Sequence, residues 1–522
     1  MLATVLSATV HGLAGRVVRV EVDVAPGLPG FSIVGLADTA LQEARERVRV
    51  AIRNSGFTYP PRRITVNLAP ADLPKRGASL DLGIAAAILL GSEQVRAAGR
   101  WALVGELSLG GEVRPVPGLL PMVAALARRG VRRVIVPHDA IAEARLVDDI
   151  ESIGAASLGE AMRILRSASS RRRLPTVAAR VEAAPDLPAG RGEPASPMAP
   201  EPDVPDLGDV RGQVEARRAF EIALAGGHGL LMIGPPGAGK TLLARTAPGL
   251  LPPLRDAEAL AATIVDSVAA ERPVTGLVRR PPFRSPHHTI SYPGMVGGGP
   301  RLTPGEVTLA DHGVLFLDEL PEFDRDVLEA LRQPLEEGRV AIVRAGRAET
   351  FPARFQLIAA MNPCPCGMAG TDPPRCICKT GVADRYAARV SGPLRDRIDL
   401  WVAMPRVPPT LLGELERPEG SAVVATRIAA ARDRQAARSG RLNARVAGRA
   451  LRAICGLDRA GEARVAELAE AAELSARAAE RLLRVARTIA DLAGAELVAT
   501  NHLEEAARYR DPALSLSHRG AA

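Results

Sequence analysis

Short apolar runs alternate with helically spaced apolar positions through residues 1–166. β-Branched residues cluster in three stretches that predict strands, namely Arg16–Val24, Arg63–Asn67 and Arg132–Pro137. Apolar side chains recur at a helical period over two further stretches, Thr39–Asn54 and Leu119–Arg129. Because strands that alternate with helices bury their apolar faces against one another, the pattern predicts an α/β domain.

The alternation stops between residues 167 and 206. Large apolar side chains are almost absent there, and prolines recur at positions 175, 185, 188, 194, 197, 200, 202 and 205. A segment with so little apolar surface cannot offset the entropy lost on ordering it. We therefore predict an extended linker over 167–206.

Strands and helices alternate again over residues 207–410, which predicts a parallel sheet flanked by helices. From 411 to 522 the composition turns to Ala, Arg, Glu and Leu with helical spacing, which predicts a small helical domain. Its predicted helices are Ser421–Arg438, Arg459–Ala472, Ser475–Leu492 and Asn501–Arg510. The side chains of Ser475 and Asn501 are typical N-caps.

Composition narrows the class of protein. Of the 522 residues 47% are hydrophobic, so we expect a globular chain of several domains. The net charge of +8 permits a polyanionic partner without requiring one, and 3% aromatic residues leave few platforms for stacking on single-stranded nucleic acid. The N-terminus lacks the basic segment of an export signal, and no apolar stretch is long enough to span a bilayer. We therefore expect a cytoplasmic protein without a membrane segment.

A glycine-rich loop follows the apolar run Gly229–Ile233. Residues 234–241, GPPGAGKT, match the phosphate-binding pattern G-x-x-x-x-G-K-[ST]. Backbone N–H groups of such a loop surround phosphates, while Lys240 can reach the β- and γ-phosphate oxygens and Thr241 can ligate Mg²⁺. We assign nucleotide binding to all eight residues: Gly234, Pro235, Pro236, Gly237, Ala238, Gly239, Lys240 and Thr241.

Two acids follow a second apolar run, in the sequence VLFLDE at 314–319. Asp318 is predicted to hold Mg²⁺, and Glu319 is predicted to polarise the attacking water. Either motif alone is common in ordinary turns and solvated loops. Both together, in this order and after buried strands, predict hydrolysis of ATP or a close relative.

Three polar elements further along the chain have the order expected of an AAA+ ATPase. Asn362 ends the apolar run Phe355–Ala360, SGPLRDRIDL at 391–400 places arginines before another strand, and Arg477 and Arg484 lie on a later helix. These elements resemble sensor 1, the arginine finger and sensor 2 of that class. Taken singly, each is more often a salt-bridged surface group.

Longer stretches are similar to the magnesium-chelatase-like AAA+ proteins of the YifB type, also called competence protein ComM. The similarity covers nearly the whole chain outside the linker, and the chain is identified as a member of this family. The stretches are DVRGQVEARRAFEIALAGGHGLLMIGPPGAGKT (209–241), FRSPHHT (283–289), MVGGGPRLTPGEVTLADHGVLFLDELPEF (295–323), FQLIAAMNPCPCG (355–367) and VARTIADLAG (485–494).

The resemblance implies a fold and a set of roles. The fold is an AAA+ P-loop sheet with a helical lid, preceded by a Lon-protease-like α/β domain. Asn362 becomes sensor 1, Arg397 an arginine finger offered to the neighbouring subunit, and Arg477 sensor 2. Since a finger acting in trans requires a ring, we expect a homo-hexamer. The implied adenine-pocket residues are Val210, Gly212 and Gln213.

The resemblance also places two hairpins at the central pore of the ring. One is the insert Phe283–Arg301, with glycines 297–299 at its flexible tip, and the other is VAIVRAGRAETF at 340–351. Arginines there would bind the phosphate backbone of DNA regardless of its sequence. The alternative is that these arginines are ordinary solvated turn residues. The candidate DNA contacts are Arg344, Arg347 and Arg301.

The first domain resembles the proteolytic domain of Lon-type proteases. Ser79, in KRGASLDLGIA at 75–85, falls where the protease has its nucleophile, but Leu120 stands where its lysine general base is expected. A serine hydroxyl needs a base to take its proton. We therefore expect a catalytically inactive binding or assembly module over 1–166.

Four of the five cysteines lie close together in the chain. Two C-x-C pairs separated by a turn-rich stretch can supply a closed tetrahedral Zn²⁺ site. Reduced cysteines without a metal, or disulfide or cluster chemistry, are the alternatives. The four residues are Cys364, Cys366, Cys376 and Cys378.

These observations favour a ring-shaped motor that uses ATP to move along branched or duplex DNA during recombination or integration of incoming DNA. The alternative from another class is a magnesium-chelatase-type motor subunit that drives metal insertion through a protein partner. An ATP-dependent protease is disfavoured by Leu120.

Overall fold

The computed structural model describes two compact units. Unit 1 comprises Met1–Ala199 with Thr263–Leu277, and unit 2 comprises Pro200–Ala262 with Val278–Ala522. Most of the predicted linker lies outside the described residues. Those residues are 1–35, 39–71, 73, 75, 77–167, 204–269, 274–299, 303–344, 347–371, 375–408, 410, 416–471 and 474–510.

Unit 1 is built on a mixed sheet with helices packed against it, as the alternating pattern predicted. Across the sheet the described strands are Gly30–Val34, Arg63–Ala69, Ala14–Ala25, Leu2–His11, Ala102–Leu103, Arg133–Pro137 and Glu151–Ala155. The helices are Thr39–Asn54, Asp81–Gly91, Leu119–Arg128, Ile141–Ala144 and Leu158–Arg166. A short antiparallel pair joins Glu106–Leu107 and Val113–Arg114.

The strand Leu2–His11 was not predicted, although it pairs along its whole length with Ala14–Ala25. In Ala14–Ala25 the valines at 18, 20, 22 and 24 are buried at every second position, which is the pattern of a half-buried strand. In Leu2–His11 the consecutive residues Ser7, Ala8 and Thr9 are all buried. Small polar residues inside a central strand remove the alternation on which the prediction relied.

Unit 2 contains a parallel sheet, and its three central strands are buried along their whole length. The strand order is Phe283–Arg284, Val314–Leu317, Gln356–Met361, Leu230–Ile233 and Leu400–Ala403. The helices around it are Val214–Gly226, Lys240–Arg245, Ala247–Leu250, Asp256–Ala269, Tyr292–Val296, Glu306–Leu309, Arg325–Ala330, Arg332–Glu337, Val382–Ala387 and Gly392–Arg395. The division between the two units falls within Asp256–Ala269.

The C-terminal part of unit 2 is helical, as predicted, and shares one apolar core with the sheet. Leu482, Ile489 and Leu503 from the helices pack in the same cluster as Leu230 and Ile358 from the strands. The described helices are Ser421–Ser439, Gly448–Cys455, Arg459–Ala471, Ala476–Leu492 and Thr500–Arg508.

One of the two predicted N-caps is confirmed. The Ser475 side chain accepts a hydrogen bond from the backbone N–H of Ala478. The prediction for Asn501 was wrong, because the last helix begins at Thr500 with Ala499 as its N-cap. There the ring of His502, the third residue of the helix, accepts a hydrogen bond from the N–H of the N-cap residue Ala499.

The two predicted hairpins differ from one another in the structure. Arg339–Arg344 and Arg347–Pro352 form an antiparallel pair in which Arg344 lies opposite Arg347, as expected. Gly297 and Gly298 are buried and pair with Thr303–Pro304 instead of forming a free tip. Glycine is required there because a Cβ on Gly297 would lie 2.7 Å from the Thr303 carbonyl oxygen.

A buried polar network joins the helical lid to the sheet. Asp491 is fully buried, and its two oxygens accept hydrogen bonds from Arg438 at 2.7 Å each and one from Arg487 at 2.9 Å. Asn443 links Asp491 to the Thr488 hydroxyl. The same hydroxyl lies 2.8 Å from Nε2 of His228, just before the central strand Leu230–Ile233.

We expect Asp491→Ala to destabilise the protein by about 3–5 kcal/mol, because the buried guanidinium group of Arg487 and the partly buried one of Arg438 would lose their carboxylate. Urea unfolding of the full chain, followed by circular dichroism, measures the effect. Asp433→Ala, which removes an exposed carboxylate in the same helical part, should change the free energy of unfolding by less than about 0.5 kcal/mol. Equal stability of the two variants would show that the network is dispensable.

Candidate nucleotide-binding site

The glycine-rich loop connects the buried strand Leu230–Ile233 to the helix Lys240–Arg245. Gly237 and Gly239 have φ of +77° and +92°, a backbone region that side chains disfavour. Gly234 is required for a different reason, since a Cβ there would lie 2.2 Å from the carbonyl oxygen of Met404. The loop therefore takes the conformation in which backbone N–H groups and a helix N-terminus face an anion.

Lys240 reaches back over this loop. Its buried Nζ donates to the carbonyl oxygens of Gly234 at 2.6 Å and Pro235 at 3.1 Å, and to Oδ1 of Asn362 at 3.1 Å. Burial lowers the pKa of Lys240, and the nearby carboxylates of Asp318 and Glu319 partly oppose that shift. A bound polyphosphate would supply the negative charge that this buried ammonium group lacks.

The register of the sheet brings the predicted polar residues to one edge. Ile233 lies beside Met361, and Leu317 lies beside Ala359, so the three strands end at the same edge of the sheet, with Leu317 two residues short of the level of Met361. Thr241 Oγ1 donates to Asp318 Oδ2 at 2.6 Å, which joins the two predicted Mg²⁺ ligands. A cavity of about 350 Å³ is lined by Pro236, Gly237, Ala238, Gly239, Lys240, Thr241, Leu242, Asp318, Glu319, Met361 and Asn362.

The donor set fits Mg²⁺. A hydroxyl and a carboxylate from two different elements are hard oxygen ligands, and the ion would complete its coordination with water and phosphate oxygens. Thr241 and Asp318 would hold it, and it would neutralise charge on the β- and γ-phosphates.

Of the three residues predicted to line the adenine pocket, Gln213 contacts the phosphate-binding loop directly. Gln213 Nε2 donates to the carbonyl oxygens of Ala238 at 3.2 Å and Pro405 at 2.7 Å. Val210 is buried in the core of unit 2, and Gly212 has a φ of +69°. The contact to Ala238 ties this segment to the phosphate-binding loop.

Glu319 adopts an unusual backbone conformation. Its φ of 53° and ψ of 46° lie in the left-handed region, which is uncommon for residues other than glycine. Its Oε2 lies 3.4 Å from Nδ1 of His288. No role was predicted for His288, although it lies in the FRSPHHT stretch that carries the family resemblance, because a histidine in a loop has no diagnostic spacing.

Arg397 and Arg477 do not line the nucleotide cavity of their own chain. Both line a second, larger cavity of about 1100 Å³, together with Arg481 and Arg484. Arg397 pairs there with Glu336, and Arg481 lies 3.6 Å from Asp396. Lys240, Asp318, Glu319 and Asn362 thus lie together at the edge of the sheet. Arg397 and Arg477 line the second cavity instead.

The four clustered cysteines meet in space. Their sulfur atoms all lie within 4.8 Å of one another, with Cys364 buried and Cys376 exposed. Backbone hydrogen bonds from Ile377 and Met368 lower the pKa of Cys366 to about 6. All five cysteines are free thiols in this structure. Four converging thiol groups can hold a tetrahedral metal such as Zn²⁺.

The predicted DNA contacts are described only in part. Arg301 lies outside the described residues. For Arg344 and Arg347 the structure describes the backbone, which places them opposite each other at the end of their hairpin.

In unit 1, the two residues that were compared with the Lon-type proteases, Ser79 and Leu120, both have contacts in the structure. Ser79 Oγ donates to the carbonyl oxygen of Ala8 at 3.1 Å, and Leu120 is fully buried. The Leu120 N–H donates to Glu143, whose carboxylate also accepts from Ser267 at 2.6 Å. Burial raises the pKa of Glu143. Hydrogen bonding and apolar packing account for these residues.

Comparison with known proteins agrees with this geometry. The family described as "Magnesium chelatase, subunit ChlI" matches residues 206–412, and its C-terminal counterpart matches 418–510. "Subunit ChlI of Mg-chelatase" matches 20–140. The YifB protein of Salmonella typhimurium is 43% identical over 98% of this chain and 97% of its own length.

The chain belongs to the YifB/ComM family. Competence protein ComM of Haemophilus influenzae is 41% identical over 98% of this chain and 97% of its own length. A Lon protease of Trichlorobacter lovleyi is 28% identical over 25% of this chain and 17% of its own length. The YifB/ComM family relationship supports an ATPase-type motor.

We expect Lys240→Ala to abolish binding of a fluorescent ATP analogue, since no other ammonium group lines the described cavity. Glu319→Gln should still bind the analogue but lose roughly 10²- to 10⁴-fold in turnover, as expected for removal of a general base. Glu322→Gln, three residues away and paired with Arg389, is the control and should keep wild-type turnover. Full turnover by Glu319→Gln would remove that residue from its role.

Proposed function

We propose that this YifB/ComM-family protein is an ATP-hydrolysing motor that moves along branched or duplex DNA as a homo-hexameric ring, in recombination or integration of incoming DNA. The observation that carries the proposal is the convergence of Lys240, Thr241, Asp318, Glu319 and Asn362 on one cavity. The name of the Haemophilus relative, a competence protein, supports a role with incoming DNA. Such work belongs in the cytoplasm, where thiols stay reduced.

Each residue of the cavity has a distinct task in ATP hydrolysis. Lys240 binds the β- and γ-phosphates, and the loop N–H groups orient them. Asn362, hydrogen-bonded to Lys240, orients the attacking water, and Glu319 accepts a proton from that water. The backbone of Glu319 is left-handed, and its side chain lines the cavity.

The positions of Arg397 and Arg477 support a ring. Hydrolysis needs positive charge next to the transferring phosphoryl group, beyond the charge that Lys240 supplies. Both arginines lie in a separate cavity of the same chain, together with Arg481 and Arg484. An adjacent subunit that presented its triphosphate to this basic cavity would complete the site, which agrees with Arg397 as a finger acting in trans.

We expect Arg397→Ala to leave nucleotide affinity nearly unchanged and to lower turnover by about 10³-fold or more. Mixing this variant with Lys240→Ala subunits should restore part of the activity, because intact sites form at mixed interfaces. The matched control is Arg395→Ala on the same turn, whose guanidinium group lies over the Trp401 ring. Turnover that is independent of protein concentration, with no restoration on mixing, would contradict the trans role.

DNA binding is proposed through the hairpin that ends at Arg344 and Arg347. The double variant with alanine at both positions should bind duplex and branched DNA more weakly, regardless of sequence. The slope of log affinity against log salt concentration should decrease by about one for each phosphate that the protein no longer neutralises. ATP hydrolysis without DNA should persist, while stimulation by DNA should fall.

Arg339→Ala is the control for this experiment, because Arg339 lies at the far end of the same hairpin and pairs with Glu337. An unchanged salt slope in the double variant would move the contact elsewhere, most directly to Arg301. Failure of the wild-type protein to bind any DNA at low salt would favour the alternative function. That alternative, a chelatase-type motor acting through a protein partner, draws on the names of the matching families.

The first domain, residues 1–166, is proposed to be a catalytically inactive binding or assembly module, separate from an ATPase core over 207–410 and a helical lid over 411–522. The support is the engaged hydroxyl of Ser79 and the buried Leu120 at the position of the missing base. The four cysteines are proposed to bind one structural Zn²⁺.

A further inference from the structure

The loop that carries the four cysteines begins at the nucleotide site. The strand Gln356–Met361 ends directly before Asn362, and Cys364 follows two residues later. Cys364 is buried, its carbonyl oxygen accepts from the Gly367 N–H at 2.9 Å, and its sulfur accepts from the Ala369 N–H at 3.3 Å. The first two cysteines are therefore held in a tight turn next to Asn362.

This turn touches the phosphate-binding loop at two points. On one side Asn362 Oδ1 accepts a hydrogen bond from Lys240. On the other side Gly367 packs directly on Pro236, since a Cβ added at Gly367 would lie 2.5 Å from Pro236 Cδ and 2.8 Å from Cγ. Pro236 itself lines the nucleotide cavity. Any displacement of the turn is thus transmitted to the loop that surrounds the phosphates.

A metal ion would fix this turn to a segment that begins ten residues further along the chain. Cys364 and Cys366 belong to the turn, whereas Cys376 and Cys378 follow a segment that is described only in part. The sulfur atoms of Cys364 and Cys376 lie 3.8 Å apart, and those of Cys366 and Cys376 lie 3.6 Å apart. One ion bound by all four would link the two ends at the point where the turn meets Pro236.

We propose that Zn²⁺ bound by the four cysteines sets the affinity of the protein for ATP, by holding Gly367 against Pro236 and Asn362 against Lys240. The inference rests on the proposed ATP site and adds regulation of that site by a metal ion. Loss of the ion frees the turn, and the phosphate-binding loop loses its support on that side. Nucleotide binding then depends on metal supply to the protein.

Gly367→Ala separates the contact from the metal. All four thiols remain, so the variant should bind about one Zn²⁺ per chain, as the wild type does. Its affinity for a fluorescent ATP analogue should fall by about tenfold to a hundredfold, because the methyl group displaces the Pro236 ring. Gly381→Ala is the matched control: Gly381 also has positive φ, at +75°, but no atom within 4 Å of a Cβ. It should bind the analogue as the wild type does.

Metal removal gives a second measurement on the wild-type protein. Treatment with a chelator under reducing conditions should lower analogue affinity to a similar extent, and added Zn²⁺ should restore it. Cys376→Ser should lose the metal and the affinity together, whereas Cys455→Ser, a buried cysteine outside the cluster, should keep both. The proposal would be overturned if Gly367→Ala, Gly381→Ala and zinc-free wild type all bound the ATP analogue as tightly as zinc-loaded wild type.

The outcomes distinguish this inference from the proposed function. A wild-type protein that holds Zn²⁺ and binds no ATP analogue would refute the ATP site itself. A protein that binds the analogue tightly and takes up no Zn²⁺ when prepared anaerobically would refute regulation by the metal and leave the ATP site intact. If Gly367→Ala fails to fold, the chelation and re-addition experiment still decides.

Discussion

The buried carboxylate of Asp491 constrains unit 2, because its negative charge must be neutralised from several directions at once. Arg438 and Arg487 come to it from two helices, and Asn443 extends the network to Thr488 and then to His228. Since His228 precedes the strand that enters the phosphate-binding loop, the lid is fixed to the same strand that positions Lys240. The lid helix Ala476–Leu492 also carries Arg477 and Arg481, so its fixed position determines where these side chains meet the segment of Arg397.

Local patterns account for what the sequence could predict. The loop ending in Lys240 and the pair Asp318–Glu319 follow buried strands, and strands buried on both faces end at one edge of a parallel sheet. Their meeting there could therefore be derived without a structure. The contacts of Arg397 with Glu336 and of Glu319 with His288 join segments far apart in the chain, and no spacing encodes them. The strand Leu2–His11 was missed for a related reason, because its buried Ser7 and Thr9 are satisfied by partners that only the fold supplies.

Two kinds of support converge on the phosphate-binding loop. At the edge of the sheet, Thr241 bonds to Asp318 and Lys240 bonds to Asn362, so the loop is tied to the ends of the strands Val314–Leu317 and Gln356–Met361. From outside the sheet, Gln213 holds the Ala238 carbonyl and Gly367 packs on Pro236. A change at any of these contacts can therefore alter the conformation of the phosphate-binding loop. Among the described residues, no helix combines the length and the apolar character needed to cross a bilayer.

The left-handed backbone of Glu319 has an evolutionary consequence. A side chain in this conformation costs roughly 1 kcal/mol or more relative to glycine, and asparagine also tolerates it well. Selection for folding stability alone would therefore replace this glutamate, whereas the proposed role of Glu319 in hydrolysis would retain it. Homologous chains that have lost the need to hydrolyse nucleotide should drift toward glycine or asparagine at this position first. The identity of this one residue would then distinguish working motors from inactive descendants among related sequences.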